Sequence, residues 1–379
     1  MKRFLKWFAG FLIAIVALLY ITDYEYILKG MRIVYLTGHS TAFIDDHSYF
    51  ENDTIAASVQ PQPWPLHANY NLEKATEKLV ETNEALGTVA FLIIKNDSIW
   101  FEEYANNYGA ASQTNSFSMA KSITSALLGK AIQERYIKSL EQPVSDFYPQ
   151  FKESGMTVGD LSSMASGLNW DESYKSPFSV TARSYYADNL AKTILNLKVT
   201  ESPGRQYTYL SGNTQLLGMV LETATQKRLA AYLSESFWKP MGFEQPALWQ
   251  VDDAKHRLVK AYCCIAGNAR DFARFGKLYK DFGKWNGQQL IDSVFAAKSI
   301  TPRFEESPEY GYGFWLSNHL DKKIFVMRGI LGQYVITIPE DNIIIVRLGH
   351  NRGVRSEKPF SDDFYIFVEE AYKMLEKNS

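Results

Sequence analysis

The chain has 379 residues, of which 46% are hydrophobic, 22% charged and 14% aromatic. That supports one large or two modest domains and excludes a disordered, collagenous or low-complexity protein. Forty basic against forty-two acidic residues leave a net charge of −2, which supplies no electrostatic footprint for nucleic acid.

Lys2, Arg3 and Lys6 precede an unbroken apolar run, Trp7–Ile21, closed by Asp23. As helix that run reaches about 22 Å, short of the roughly 20 residues a bilayer usually needs. Two readings stand: a retained single-pass anchor over residues 7–22, or the apolar stretch of a cleaved secretory signal. Bulky Leu18, Leu19, Tyr20 and Ile21 occupy the place of a small-residue cleavage site, and Tyr24, Tyr26, Ile27 and Leu28 resemble an interfacial belt, which favours the anchor. Either way, the basic residues keep 1–6 cytoplasmic and leave the rest of the chain extracytoplasmic.

Residues 23–70 are aromatic and irregular, ending in Pro61-Gln-Pro-Trp-Pro65, and predict a linker packed against the main domain, residues 71–379. Asn71 is expected to cap a helix carrying Leu72, Ala75, Leu79 and Leu86. Val89–Lys95 and Ser98–Glu103 predict strands joined at Asn96-Asp97. The middle of the chain predicts helices over Ser118–Gln133, near Lys192, over Asn213–Thr225 and over Asp271–Phe282. Strands return at Tyr310–Leu316, Lys323–Met327, Gln333–Ile338 and Ile343–Leu348, with a last amphipathic helix over Asp362–Glu376. Strands at both ends around a helical middle predict an α/β protein of the α+β type, with one antiparallel sheet, a helical insertion to one side and a cleft between them.

Most common chemistries lack their residues. The six histidines show no ligand spacing, and there is no G-x-S-x-G, G-x-x-x-x-G-K or G-x-G-x-x-G. The only two cysteines, Cys263 and Cys264, are neighbours. Adjacent cysteines bridge only with strain, and one pair cannot cage zinc. Neither a disulfide framework nor a cysteine metal site is expected.

What remains is Ser118-Met-Ala-Lys121. Positions i and i+3 share a helix face, so the hydroxyl and the amine can meet. A serine attacks once a base removes its proton, and lysine serves as that base only as a free amine, a form favoured by burial and by the positive end of a helix. A second match, Ser236-Phe-Trp-Lys239, precedes Pro240 and reads as a solvated helix end. Tyr207-Thr-Tyr209-Leu-Ser211-Gly-Asn213 offers a tyrosine before a helix, able to relay a proton or simply to pack. Arg328-Gly-Ile-Leu-Gly-Gln-Tyr334 offers a strand edge whose N–H can receive an oxyanion, or an ordinary hairpin.

Taken in order, these segments resemble the penicillin-recognising serine hydrolases, most closely class C β-lactamase-related esterases and nylon-oligomer (6-aminohexanoate-dimer) hydrolases. Met164-Ala-Ser-Gly-Leu168, Lys239-Pro-Met-Gly242, Ala269-Arg-Asp-Phe-Ala-Arg-Phe-Gly276 and Tyr310-Gly-Tyr-Gly-Phe-Trp315 extend the likeness. The resemblance implies a β-lactamase/transpeptidase-like fold, with Ser118 as nucleophile, Lys121 as base and Tyr209 as proton shuttle. It implies an oxyanion hole from the backbone N–H groups of Ser118 and Ile330, substrate contact by Tyr174, and no metal or organic cofactor. The chain departs from the usual Tyr-x-Asn at Ser211, and Arg328-Gly-Ile330 stands in place of Lys-Thr-Gly. Arg328 would then be the cation facing substrate, with a planar fork unlike an ammonium, which argues against efficient β-lactam hydrolysis. The expectation is a membrane-anchored serine hydrolase of a small ester, amide or peptide. The rivals are a D-amino-acid peptidase of cell-wall peptide and an inactive binding protein.

Overall fold

The apolar runs at the two ends of the domain meet in one sheet. The computed structural model describes residues 1–376. Its strands are β1 (Asn52–Ile55), β2 (Thr88–Lys95), β3 (Ser98–Tyr104), β4 (Thr114–Asn115), β5 (Ala247–Gln250), β6 (Ile265–Gly267), β7 (Lys284–Trp285), β8 (Gln288–Gln289), β9 (Trp315–Ser317), β10 (Ile324–Gly329), β11 (Gln333–Ile338) and β12 (Ile343–Gly349). The main sheet runs β3-β2-β12-β11-β10-β9, antiparallel throughout. The hairpin β2–β3 turns at Asn96 and Asp97, both at positive φ (51° and 59°), the geometry that a two-residue turn requires.

Alternate side chains of a strand point to opposite faces, and here both faces are covered. Leu92, Ile94, Val335, Ile344 and Val346 enter the larger core, while Phe91, Ile93, Ile336, Ile343 and Ile345 enter a second. Burial on both faces explains why these strands read as continuous apolar runs. The helices are α1 (Lys2–Ile21), α2 (Tyr26–Ile33), α3 (Glu77–Ala85), α4 (Met119–Gln133), α5 (Val158–Ser162), α6 (Val180–Tyr186), α7 (Leu190–Leu195), α8 (Ser211–Thr225), α9 (Leu229–Leu233), α10 (Ala269–Lys280), α11 (Ser293–Ser299) and α12 (Asp362–Glu376). Phe364, Phe367, Val368, Ala371, Met374 and Leu375 give α12 an apolar stripe that joins the second core. On the other face α10 packs through Gly276, where a Cβ would stand 2.7 Å from the Thr337 hydroxyl.

Three expectations change. Asn71 does not cap a helix: it sits at φ 51°, and α3 starts after Thr76, whose hydroxyl accepts the Leu79 N–H. A second sheet, β1-β5-β6-β4, stands beside the first. Residues 23–70 are also more regular than a linker, because β1 is the edge of that sheet and α2 lies on α6. The Tyr26 hydroxyl donates to the Pro177 carbonyl (2.9 Å), and the Arg183 guanidinium lies 4.8 Å from the Tyr24 and Tyr26 rings. Preceding this, α1 is a 20-residue helix with no buried residue and a mean hydropathy of 2.2 over an 18-residue stretch, long and apolar enough to cross a membrane.

One buried carboxylate ties the N-terminal segment to the domain. Asp46 accepts from Asn115 Nδ2 (2.8 Å), the Tyr185 hydroxyl (2.7 Å) and Gln250 Nε2 (3.1 Å). Burial holds its carboxyl above the ordinary range despite these donors. Asp46→Ala removes the acceptor of the Tyr185 hydroxyl and of Gln250 Nε2 and leaves Asn115 Nδ2 only the Tyr185 oxygen (3.3 Å), and a loss of about 3 kcal/mol is expected. The urea midpoint reads it; a shift worth less than about 1 kcal/mol would show the network dispensable.

Candidate active site

Ser118 sits at the junction of the second sheet and α4. Just after β4, the Asn115 side-chain oxygen accepts the Phe117 N–H (2.8 Å). This turn puts Phe117 at φ 44°, a conformation uncommon for a bulky residue and a recurrent mark of functional loops. Ser116 is fastened to Ile265 through its N–H (2.8 Å) and its hydroxyl oxygen (3.1 Å). Ser118, two residues after Ser116, takes the N-cap position of α4, but its side chain makes no cap hydrogen bond. Its Oγ lies 2.9 Å from Lys121 Nζ.

Lys121 is 2% exposed. Its amine donates to the Tyr262 carbonyl (2.9 Å) and lies 5.1 Å from the centre of the Tyr209 ring. Among the described residues, no carboxylate forms an ion pair with it. Tyr209 leans on Trp315 (5.2 Å) and Tyr310 (6.0 Å). Tyr207 packs on the same two rings, Tyr310 (5.1 Å) and Trp315 (6.4 Å), and burial pushes its phenol far up. Of the two tyrosines, Tyr209 therefore faces the amine. The other serine–lysine match is split, with Ser236 buried and Lys239 exposed.

Ser118, Tyr174, Ser211, Tyr262, Cys263 and Ile330 line one cavity, joined by Thr41 and Ala42 of the N-terminal segment. Ile330 arrives there because Gly329 lets β10 press on the serine loop: a Cβ on Gly329 would stand 2.4 Å from the Ser116 carbonyl oxygen. Arg328 lies outside that lining. Its guanidinium stacks 4.5 Å from Trp315 and 5.2 Å from Phe360 and donates to the Pro359 carbonyl (2.7 Å). The cation thus supports the ring that backs Tyr209.

Two charged groups that the sequence did not single out hold these pieces. Arg347 is fully buried and donates to the carbonyls of Leu331 and Gly332 (both 2.9 Å) and Leu86 (3.0 Å), and to the Thr88 hydroxyl (2.9 Å). It fixes the turn after Ile330, and burial brings its guanidinium down to about 10. Glu172 accepts the N–H (2.6 Å) and hydroxyl (2.7 Å) of Ser211, and the Tyr174 hydroxyl. A carboxylate at the start of α8 also suits the helix dipole. It thereby ties Tyr174 to the helix that begins two residues after Tyr209. Glu172→Ala is expected to lower kcat about tenfold through misplacement of Tyr209 and stability by about 1 kcal/mol. Steady-state rates beside thermal melts separate the two; an unchanged kcat would show Tyr209 held without it.

Elsewhere Asp252, Asp253 and His256 cluster. Asp252 accepts the N–H groups of Leu190 and Leu258 (both 2.9 Å), and Asp253 binds His256 Nδ1 (2.6 Å); these bonds close a loop. The cysteine expectation is corrected. Cys263 and Cys264 are joined by a disulfide, tolerated where the chain already turns sharply, with Cys264 at φ 75°.

A family model described as Beta-lactamase matches residues 72–366, well over half of the chain. The chain belongs to the beta-lactamase family. Members of that family are serine hydrolases, and so is this protein. The 6-aminohexanoate-dimer hydrolase of Paenarthrobacter ureafaciens is 24% identical over 323 residues, 78% of this chain and 81% of that one. The teichoic acid D-alanine hydrolase of Staphylococcus aureus is 25% identical over 264 residues, and the match spans 64% of each chain. Among solved structures, a Bacillus anthracis protein provisionally named 6-aminohexanoate-dimer hydrolase superposes with a TM-score of 0.74 at 23% identity, covering 86% of this chain and 92% of its own. A D-stereospecific amidohydrolase from Streptomyces gives 0.59 at 15% identity, covering 76% and 96%. These likenesses carry the β-lactamase/transpeptidase-like fold, with antiparallel sheets and helices.

Proposed function

We propose that the protein cleaves a small ester or amide through an acyl-Ser118 intermediate, on the extracytoplasmic side of a membrane that α1 anchors it to. The observation that carries this is the contact between Ser118 Oγ and the buried Lys121 Nζ (2.9 Å). As a free amine, Lys121 takes the serine proton while Oγ attacks the carbonyl carbon. The backbone N–H groups of Ser118 and Ile330, both at the cavity, receive the developing oxyanion. Tyr209, facing the amine, passes the proton to the departing alcohol or amine. Water then deacylates the serine by the same relay in reverse. Tyr174, on the cavity wall, contacts the substrate. The relatives named for 6-aminohexanoate dimer and for teichoic acid D-alanine define the substrates to try first.

A fluorophosphonate probe should label the wild-type protein and leave Ser118→Ala unlabelled; equal labelling refutes the nucleophile. A panel of simple esters, linear amides, D-alanyl esters, D-amino-acid peptides and β-lactams, run on both proteins, then ranks substrates. Release of D-alanine from cell-wall peptide alone would move the activity to a peptidase.

A further inference from the structure

The disulfide lies at the site. Cys263 lines the cavity that holds Ser118, and the short segment around the bridge holds both halves of the serine–lysine pair. On one side, the Tyr262 carbonyl accepts Lys121 Nζ (2.9 Å). On the other, Ile265 fastens the loop that carries Ser118 through its two bonds to Ser116. Between them, the Cys263 carbonyl accepts Trp249 Nε1 (2.9 Å) and the Cys264 carbonyl accepts the Gln250 N–H (3.1 Å). Cys264 itself is held at φ 75°, where a residue with a side chain rarely rests. The bridge closes a small ring across this peptide and so restrains the backbone between Tyr262 and Ile265.

We propose that Cys263–Cys264 is a redox modification site in the wall of the active site, taking a small dithiol as reductant, and that its reduction slows acylation of Ser118. The proposal rests on the catalytic reading of Ser118 and Lys121 given above. A thiolate of the reductant attacks Sγ of Cys263, the one cysteine of the pair that lines the cavity, and the Cys264 sulfur leaves and takes a proton. The second thiol of the reductant then displaces Cys263, which is protonated in turn. Two electrons and two protons pass to the protein, and the dithiol becomes a disulfide. With the ring open, Cys264 relaxes from its left-handed conformation. The Tyr262 carbonyl and Ile265 then shift against Lys121 and Ser116, and a small misplacement at such a site costs about tenfold or more in rate. Both cysteines are buried, 4% and 1% exposed, so the reductant reaches them through the cavity. A group already attached to Ser118 therefore blocks reduction.

The test uses the full chain, purified without reductant and then treated with dithiothreitol under native conditions. Intact mass and thiol titration count thiols, and the rate of fluorophosphonate labelling reports acylation. The expected result is no free thiol before treatment and two after it, with labelling about tenfold slower and restored on reoxidation. Protein labelled beforehand should release its thiols more slowly than unlabelled protein. The doubly substituted Cys263→Ser, Cys264→Ser protein should label slowly and ignore dithiothreitol; should it not fold, the reversible cycle on wild type decides alone. Two free thiols in the untreated protein, no thiol released by native treatment, or an unchanged labelling rate once both thiols are free would overturn the proposal. Protein that labels equally in both redox states refutes only the redox claim, whereas protein that never labels at Ser118 refutes the catalytic reading beneath it.

Discussion

Lys121→Ala lowers kcat by about three orders of magnitude while KM stays within a few-fold of wild type, the pattern of a group needed in the transition state more than for binding. The side chain it removes is the near neighbour of Ser118 Oγ at 2.9 Å and the donor to the Tyr262 carbonyl. Because the residue is buried, the change also leaves a hole beside the serine, and a small primary amine added to the assay should recover part of the lost rate. Steady-state kinetics on the best substrate of the panel, with and without methylamine, provide the check. A variant retaining more than about a tenth of wild-type kcat would remove Lys121 from the base role.

Gly329→Ala carries the second large effect. Its new Cβ would stand 2.4 Å from the Ser116 carbonyl oxygen and 3.1 Å from Gln333 Cβ, and neither the serine loop nor the end of β10 can give way alone. Ser116 is bonded twice to Ile265, and Gly329 is in register with Gln333 of β11. The strand must back away, taking Ile330 from Ser118, so kcat is expected to fall about a hundredfold, with about 1–3 kcal/mol of stability lost to crowding. Gly109→Ala is the control, since nothing lies within 4 Å of a Cβ there. Should Gly329→Ala keep wild-type kcat, the N–H of Ile330 is not part of the oxyanion hole.

Much of the main sheet was legible because its strands are long and β-branched, and the ends of β11 and α12 match the expected Gln333–Ile338 and Asp362–Glu376. The second sheet was not. β4 has two residues and β6 three, too short for any periodicity to register. The start of α3 was misplaced because Leu72, counted as part of an apolar face, is 71% exposed, while Thr76 makes the cap. In the site, the approach of Ser118 and Lys121 follows from helix geometry alone, and that is why two residues of sequence sufficed to point to it. Tyr209 needed the family resemblance, since spacing gave no preference over Tyr207. Glu172 and Arg347 act through long-range bonds to backbone groups, which leave no local pattern. The Tyr262 carbonyl that holds the lysine has no side-chain signature whatever. Glu172 did lie two residues before Tyr174, which the resemblance flagged, and a carboxylate so close to a substrate-facing tyrosine was the available signal.

The most direct measurement is peptide mass mapping of protein quenched in acid during turnover of its best ester substrate. The account predicts an acyl group of the substrate's mass on Ser118 alone. An adduct on Ser116 or Ser122 instead, or turnover that leaves no acyl group on the protein at any quench time, would contradict it.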